Sequence, residues 1–264
     1  MEHLEMIPIK RFRRQGEQDM EDIVIREVPL TIILDNQELV TLLCTPSDFK
    51  YLAVGFIFSE GLLSSADEIK KVTVDERRGV VRVESKEGKE LPEGILFKRL
   101  ISSGCGRGAS FYTAADIQTL AEVSSTTVIS VRQVFSLLRE FQHRSQIFKD
   151  TGGVHSAALC DAEQILVFSE DVGRHNAIDK IFGECIMTGI PADGRIILTS
   201  GRISSEIALK AVKMKVPILI SRSAPTTMGV QIANDLGLTL IGFARGERMN
   251  VYSHSQRIKN DSRQ

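Results

Sequence analysis

Three short apolar runs, Arg195-Ile-Ile-Leu-Thr199, Val216-Pro-Ile-Leu-Ile220 and Leu238-Thr-Leu-Ile-Gly-Phe243, are separated by two stretches with helical patterning, Ser205 to Lys215 and Met228 to Leu236. Short β-prone runs without polar alternation read as strands buried on both faces, and their alternation with helices reads as βαβαβ. The expectation is an α/β fold built on a parallel sheet with covering helices. Upstream, Ala177, Ile178, Ile181, Phe182, Cys185 and Ile186 form an apolar stripe at helical spacing, which places the helix after Asp171 in the same scheme.

The amino-terminal half has a different texture. Lys10, Arg11, Arg13 and Arg14 are followed by Glu17, Asp19, Glu21 and Asp22, a charged lead-in expected to be partly mobile. Leu30 to Leu34 and Leu39 to Leu43 flank Asp35-Asn36, a hairpin signature. Pro46-Ser-Asp48 then opens a helix with Leu52, Phe56 and Ile57 on one face and Gly61 at its close. Two further strands are expected around Val72 to Val74 and Val80 to Val83. Residues 111–150 read as mainly helical, with Val131, Phe135, Leu138 and Phe141 recurring at spacings of three and four. Three regions follow: a charged segment over 1–22, a smaller β-containing α+β subdomain over 23–115, and a main α/β domain over 116–264.

The chain has 264 residues, 42% of them hydrophobic and 25% charged, the balance of an ordinary globular protein. Its formal net charge of −1 makes no general demand for nucleic acid, so anion binding has to come from local arginines. There is no long apolar span and no secretory pattern, so a cytoplasmic, non-membrane protein is expected. Cys44, Cys105, Cys160 and Cys185 are widely separated and form no CxxC pair, which argues for free thiols rather than disulfides or a zinc ribbon.

Chemistry gathers in a few places. In open α/β sheets, ligands bind where loops leave the carboxyl ends of parallel strands. Here those loops read Ser200-Gly-Arg202-Ile-Ser-Ser205, Ser221-Arg-Ser-Ala-Pro-Thr-Thr227 and Phe243-Ala-Arg-Gly-Glu-Arg248, each with an arginine beside glycine or hydroxyls. Guanidinium forks, close backbone approach and helix amino termini together suit phosphate, and a nucleotide-like anion is expected. The stretch Glu170-Asp-Val-Gly-Arg-His175 through Asp179 is also crowded. Asp171, Arg174, His175 and Asp179 together suggest a polar site, the plain alternative being a salt-bridged helix end. Ser102-Ser-Gly-Cys105-Gly-Arg-Gly108 puts a thiol on a glycine-rich loop beside Arg107, which favours the thiolate. Cys44 and Cys185 sit on apolar runs and are the poorer candidates. His155 and His175 are candidate acid–base groups. A deaminase-type zinc site would need HxE and a later PCxxC, but His155 is followed by Ser156 and Ala157, so no metal is expected.

Taken together, Gly104-Cys-Gly106, Gly152-Gly-Val-His155, Glu170-Asp-Val-Gly-Arg-His175, Ser200-Gly-Arg202, Ser223-Ala-Pro-Thr226, Leu240-Ile-Gly-Phe-Ala-Arg-Gly246 and Asn250-Val-Tyr252 resemble the formate dehydrogenase accessory sulfurtransferase family, FdhD. The resemblance runs from about Glu27 to Arg257. It implies a cytoplasmic homodimer with a cytidine-deaminase-like main domain. It implies a sulfurtransferase that accepts persulfide sulfur from a cysteine desulfurase and passes it to the bis-molybdopterin guanine dinucleotide form of the molybdenum or tungsten cofactor, for the formate dehydrogenase catalytic subunit. By motif position, Cys105 would carry the persulfide. Phe243, Ala244, Arg245, Gly246, Glu247 and Arg248 would bind the cofactor. Many members carry CxxC at the cysteine loop, whereas Gly108 stands at the second position here. Two other readings stay open: a chaperone that delivers the cofactor without transferring sulfur, and a nucleotide-modifying enzyme working through His155 or His175.

Overall fold

The computed structural model describes residues 3–88 and 120–260. Leu4–Arg13 (β1) and Gly16–Ile25 (β2) pair antiparallel from end to end, so the charged lead-in is a hairpin rather than a loose segment. Lys10 lies 3.3 Å from Glu17 and 3.5 Å from Asp19, and Arg11 lies 3.5 Å from Asp22. The blocks of opposite charge face one another across the ribbon, which a linear reading of charge density misses.

Val28–Leu34 (β3) and Gln37–Cys44 (β4) form the expected hairpin, with Asp35 and Asn36 at φ of 46° and 67°, the type I′ pattern. Ile69–Asp75 (β5) and Val80–Ser85 (β6) complete a four-stranded sheet in the order β4-β3-β6-β5. Phe49–Ser59 (α1) covers it, packing Leu52, Phe56 and Ile57 against Leu30, Ile32 and Val81.

Ile129–Ser130 (β7) leads into Val131–Arg144 (α2) and Gln146–Thr151 (α3). Within the described part of 111–150, the expected helical region begins at Val131. Ser130 and Gln133 cap it reciprocally, Gln133 N donating to Ser130 Oγ at 3.2 Å and Ser130 N to Gln133 Oε1 at 2.9 Å. Residues 120–128 carry no helix, and 111–119, with the soft boundary near 115, lie outside the described residues.

His155–Cys160 (β8), Ile165–Asp171 (β9), Arg174–Thr188 (α4), Ile196–Thr199 (β10), Ser205–Lys213 (α5), Ile218–Ser221 (β11), Thr227–Asp235 (α6), Thr239–Arg245 (β12) and Arg248–Val251 (β13) build the main unit, with Ile258–Lys259 (β14) pairing back to β7. The six-stranded sheet runs β13-β12-β11-β10-β8-β9. β10, β11 and β12 are mutually parallel, as expected. The sheet as a whole is mixed, because β8 runs antiparallel to both β9 and β10, and β13 antiparallel to β12. β8–β9 and β12–β13 are hairpins, whose short connections cannot make a parallel crossover. Alternate residues face opposite ways: Leu159, Val167, Ile197, Leu219 and Leu240 join the core under α4, α5 and α6, while Ala158, Ile196, Leu198, Ile220 and Ile241 join the core under α2.

The two units are joined where α1 crosses α4. A β-carbon on Gly55 would sit 1.8 Å from the Asp179 carbonyl oxygen, and one on Gly183 would sit 1.8 Å from that of Tyr51, so the two backbones touch. Around the crossing lie buried ion pairs. Lys210 Nζ donates to Asp179 Oδ1 and Oδ2 at 2.6 and 2.7 Å and to Ser59 Oγ at 2.8 Å. Burial alone would pull Lys210 down, but Asp179 and Glu60 more than offset it and hold this lysine above its ordinary pKa. Lys180 pairs with Asp171 at 2.8 Å and donates to Ser47 Oγ at 3.1 Å.

Gly183→Ala should destabilise the protein by more than about 3 kcal/mol, since backbone cannot yield as a side chain can. Gly152→Ala, in open space at φ 66°, should cost only about 1 kcal/mol for the left-handed backbone. Urea unfolding midpoints of the two variants measure the difference.

Candidate functional site

The tips that follow β10, β11 and β12 are laced into one rim. Arg222 N donates to Thr199 O at 3.1 Å, Phe243 N to Ser223 O at 2.9 Å, and Ser221 Oγ to Gly201 O at 2.6 Å. This rim borders a cleft of about 340 Å³ lined by Ser200, Arg222, Ser223, Ala224, Phe243 and Arg245, with His155 from β8 and Phe148 from α3. No carboxylate stands among these lining residues. A larger cavity of about 810 Å³ opens beside the start of α1, between Arg26, Arg77 and Arg78; among the described residues, none of the motif loops lines it.

Arg222, Ser200, His155 and Arg245 each have a neighbour that places them. Arg222 Nε and Nη2 donate to the side-chain oxygen of Gln142 at 3.1 and 3.2 Å, with the amide turned so that its oxygen faces the guanidinium. Ser200 Oγ accepts from Ser156 N at 3.0 Å and lies 3.3 Å from His155 Nδ1. Burial first, then the positive charge of Arg174 and the neighbouring His175, hold His155 below the usual imidazole pKa of 6.5, so it is neutral at pH 7. Arg245 stands over the Phe243 ring, 5.9 Å from its centre. Phe243 has a φ of 51°, and the ladder to β13 slips between Gly242 and Arg245. That bulge is what turns Phe243 and Arg245 toward the cleft.

The expected site residues divide. Phe243 and Arg245 line the cleft, Ala244 is fully buried in the core under α2, Gly246 makes the hairpin turn at φ 61°, and Glu247 and Arg248 are exposed. Arg202 is exposed and does not line the cleft. The missing β-carbon of Gly201 makes room for Arg174: a β-carbon there would lie 2.8 Å from the Arg174 Cβ. The amino terminus of α6 is already served by Thr226 Oγ1, which accepts from Gly229 N at 3.1 Å. Asp171 and Asp179 are taken up by partners within the fold. Asp171 accepts from Thr45 N, Gly173 N and Asn176 Nδ2 at 3.1, 2.8 and 2.8 Å besides pairing with Lys180, so the crowding around α4 is largely a tie between the units. Cys44, Cys160 and Cys185 are buried; burial pushes the thiols of Cys44 and Cys185 up to about 12 and that of Cys160 higher, which leaves them unreactive. Cys105 lies outside the described residues. Phe148 and Gln142 were not foreseen, and nothing in their local sequence marks them.

A family model described as FdhD/NarQ matches residues 25–259, almost the whole chain. The chain belongs to the FdhD/NarQ family. The sulfur carrier protein FdhD of Bacillus subtilis is 45% identical over 246 residues, covering 93% of this chain and 94% of its own. That of Staphylococcus aureus strain MRSA252 is 38% identical over 253 residues, 95% of each chain. A crystal structure of a candidate formate dehydrogenase accessory protein from Desulfotalea psychrophila superposes with a TM-score of 0.81 at 27% identity, over 97% of this chain and 99% of that one. The stretches that carry the resemblance, the cysteine loop apart, lie in described structure, and His155, Ser200, Ser223, Phe243 and Arg245 from four of them border the one cleft. Among the described residues, no helix is long and apolar enough to cross a membrane and no three metal-ligating side chains are grouped to hold an ion.

His175 Nε2 lies 3.0 Å from Glu206 Oε2, off the hydrogen-bond axis. Its interaction with Glu206 outweighs burial and holds that carboxyl below its ordinary value of 4.5. A depressed carboxylate pKa stabilises the fold above the ordinary value and ceases to as pH falls through the folded one. Glu206→Gln should therefore be less stable than wild type at neutral pH, by no more than about 1 kcal/mol for this partly exposed pair. The gap should close below about pH 4.5, as read by thermal unfolding across the acid range.

Proposed function

We propose that this FdhD/NarQ protein is a sulfurtransferase that carries sulfur on Cys105 and holds its acceptor, the bis-molybdopterin guanine dinucleotide form of the molybdenum cofactor, by a guanine nucleotide end seated in the cleft. The observation that carries the reading is the convergence of Ser200, Arg222, Ser223 and Arg245 from three separate strand ends, beside a neutral histidine, in a cleft whose described lining holds no carboxylate. That donor set suits phosphate: the guanidinium groups pair with oxygens and the serines add neutral donors. At about 340 Å³ the cleft is at the small end of ligand sites, room for one nucleotide end rather than the whole cofactor.

In the loading step the Cys105 thiolate attacks the outer sulfur of the desulfurase persulfide. A new S–S bond forms as the old one breaks, and the desulfurase thiolate leaves. The formate dehydrogenase catalytic subunit is the recipient of the finished cofactor, in the cytoplasm, with the sulfur carrier working as a homodimer. The names of the curated relatives support the sulfur-carrying part of this reading. The buried, unreactive state of the other three cysteines supports Cys105 as the carrier. Gly108, where a second thiol would allow an internal disulfide, favours the narrower alternative of a delivery protein that moves no sulfur.

Incubation with cysteine and a cysteine desulfurase should add one sulfur atom to the wild-type mass and none to Cys105→Ala. An equal gain in both, or none in wild type, rejects sulfur transfer, and full formate dehydrogenase activity in cells carrying Cys105→Ala would favour delivery alone. Calorimetric titration with GDP should show about tenfold or greater weakening in Arg245→Ala, the scale of one lost charged hydrogen bond. Unchanged affinity would remove the nucleotide from this cleft.

A further inference from the structure

Once the arginines and serines of the cleft are matched to phosphate, two aromatic rings are left beside them, and Phe243 alone is accounted for, by its contact with Arg245. Phe148 lies on α3 with 43% of its surface exposed and belongs to none of the three apolar cores. Exposure of one large apolar side chain is ordinary; what is not ordinary is how firmly its backbone is held. Glu170, buried, accepts from Phe148 N at 3.1 Å through Oε1 and from Ile147 N at 3.1 Å through Oε2. Ser156 Oγ donates to the same carboxylate at 3.2 Å, and Ser156 N donates to Ser200 Oγ on the cleft wall. One buried carboxylate thus ties the start of α3 to the strand that carries His155.

Phe243 is the second ring. A left-handed backbone at phenylalanine is unfavourable and persists where surrounding structure enforces it, most often at functional sites. Here the bulge enforces it, and the ring that results lines the same cleft as Phe148. A site for phosphate alone can use Phe243 to support Arg245 but has no use for Phe148, whereas a flat heterocycle stacks on such faces.

We propose that Phe148 is a specificity-determining residue: together with Phe243 it forms a stacking slot for the flat base of a phosphorylated ligand whose phosphates lie on Arg222 and Arg245. This rests on the reading of the cleft as a nucleotide site, and adds to it what distinguishes a nucleotide from a bare polyphosphate. Glu170 fixes the backbone from which Phe148 projects.

The chain contains no tryptophan, so Phe148→Trp places a single indole at the slot. Its emission should be quenched as GDP is added and should not respond to inorganic pyrophosphate, which has phosphates and no ring. Phe148→Leu, which keeps bulk and removes the aromatic face, should bind GDP about tenfold more weakly, the scale of one lost stacking contact, and bind pyrophosphate as wild type does. An indole blind to GDP at concentrations where calorimetry shows binding would overturn the proposal, as would undiminished GDP affinity in Phe148→Leu. Equal loss of both ligands would also overturn it, because Phe148 would then shape the cleft rather than read the base. Wild type that binds neither ligand rejects the nucleotide reading of the cleft, and this inference with it.

Discussion

The touching backbones of α1 and α4 are the constraint from which the rest of the molecule takes its geometry. Contact at Gly55 and Gly183 leaves no space for side chains, so the helices are positioned by their peptide groups rather than by deformable apolar chains. Such close approach draws charged groups inside, and each is compensated: Asp179 by Lys210 and Ser59, Asp171 by Lys180, Asn176 and two backbone N–H groups. A buried charge stripped of its partner costs about 3–5 kcal/mol. The ion pairs therefore select this crossing against slipped alternatives, whatever their net contribution to stability.

That crossing reaches the cleft through a short path. Asp171 ends β9, and Arg174 and His175 open α4, so the seat of α4 on α1 fixes where both stand relative to His155. Arg174 occupies the space Gly201 leaves open, and its charge helps keep His155 neutral. A neutral imidazole among arginines can accept or donate a hydrogen bond without adding to the positive field. Across the cleft, the strained Phe243 and the carboxylate-pinned Phe148 are held by the same kind of device, a local conformation that the surrounding bonds over-determine.

Elements governed by neighbours in sequence were legible. The Asp35-Asn36 turn, the helix from Phe49 to Ser59 and the βαβαβ run beyond residue 195 all depend on turn chemistry or apolar periodicity, which act over a few residues. The N-terminal hairpin was not, because its stabilising pairs join Lys10 to Glu17 and Asp19, and Arg11 to Asp22, across a turn. The mixed character of the main sheet was missed for a related reason: β8 and β13 join it by antiparallel pairing outside the βαβαβ run, and local patterning does not record strand direction. Asp171 and Asp179 were read as candidate site residues because density of charge is visible in a sequence, while the lysine or backbone N–H that neutralises it is not.

Residue order alone settles the α/β class, the three arginine-bearing tips at one sheet edge and the membership of the FdhD/NarQ family, since each rests on local periodicity or on motifs of fixed spacing. Which members of those tips face the cleft emerges only on packing. Arg222 and Arg245 line it while Arg202 does not, Ala244 points into the core beside its neighbour Phe243, and Phe148 arrives from a helix with no motif of its own. The physical reason is that a side chain's direction follows from bulges, helix seats and hydrogen bonds between segments far apart in the chain, and those bonds do not exist until the segments meet.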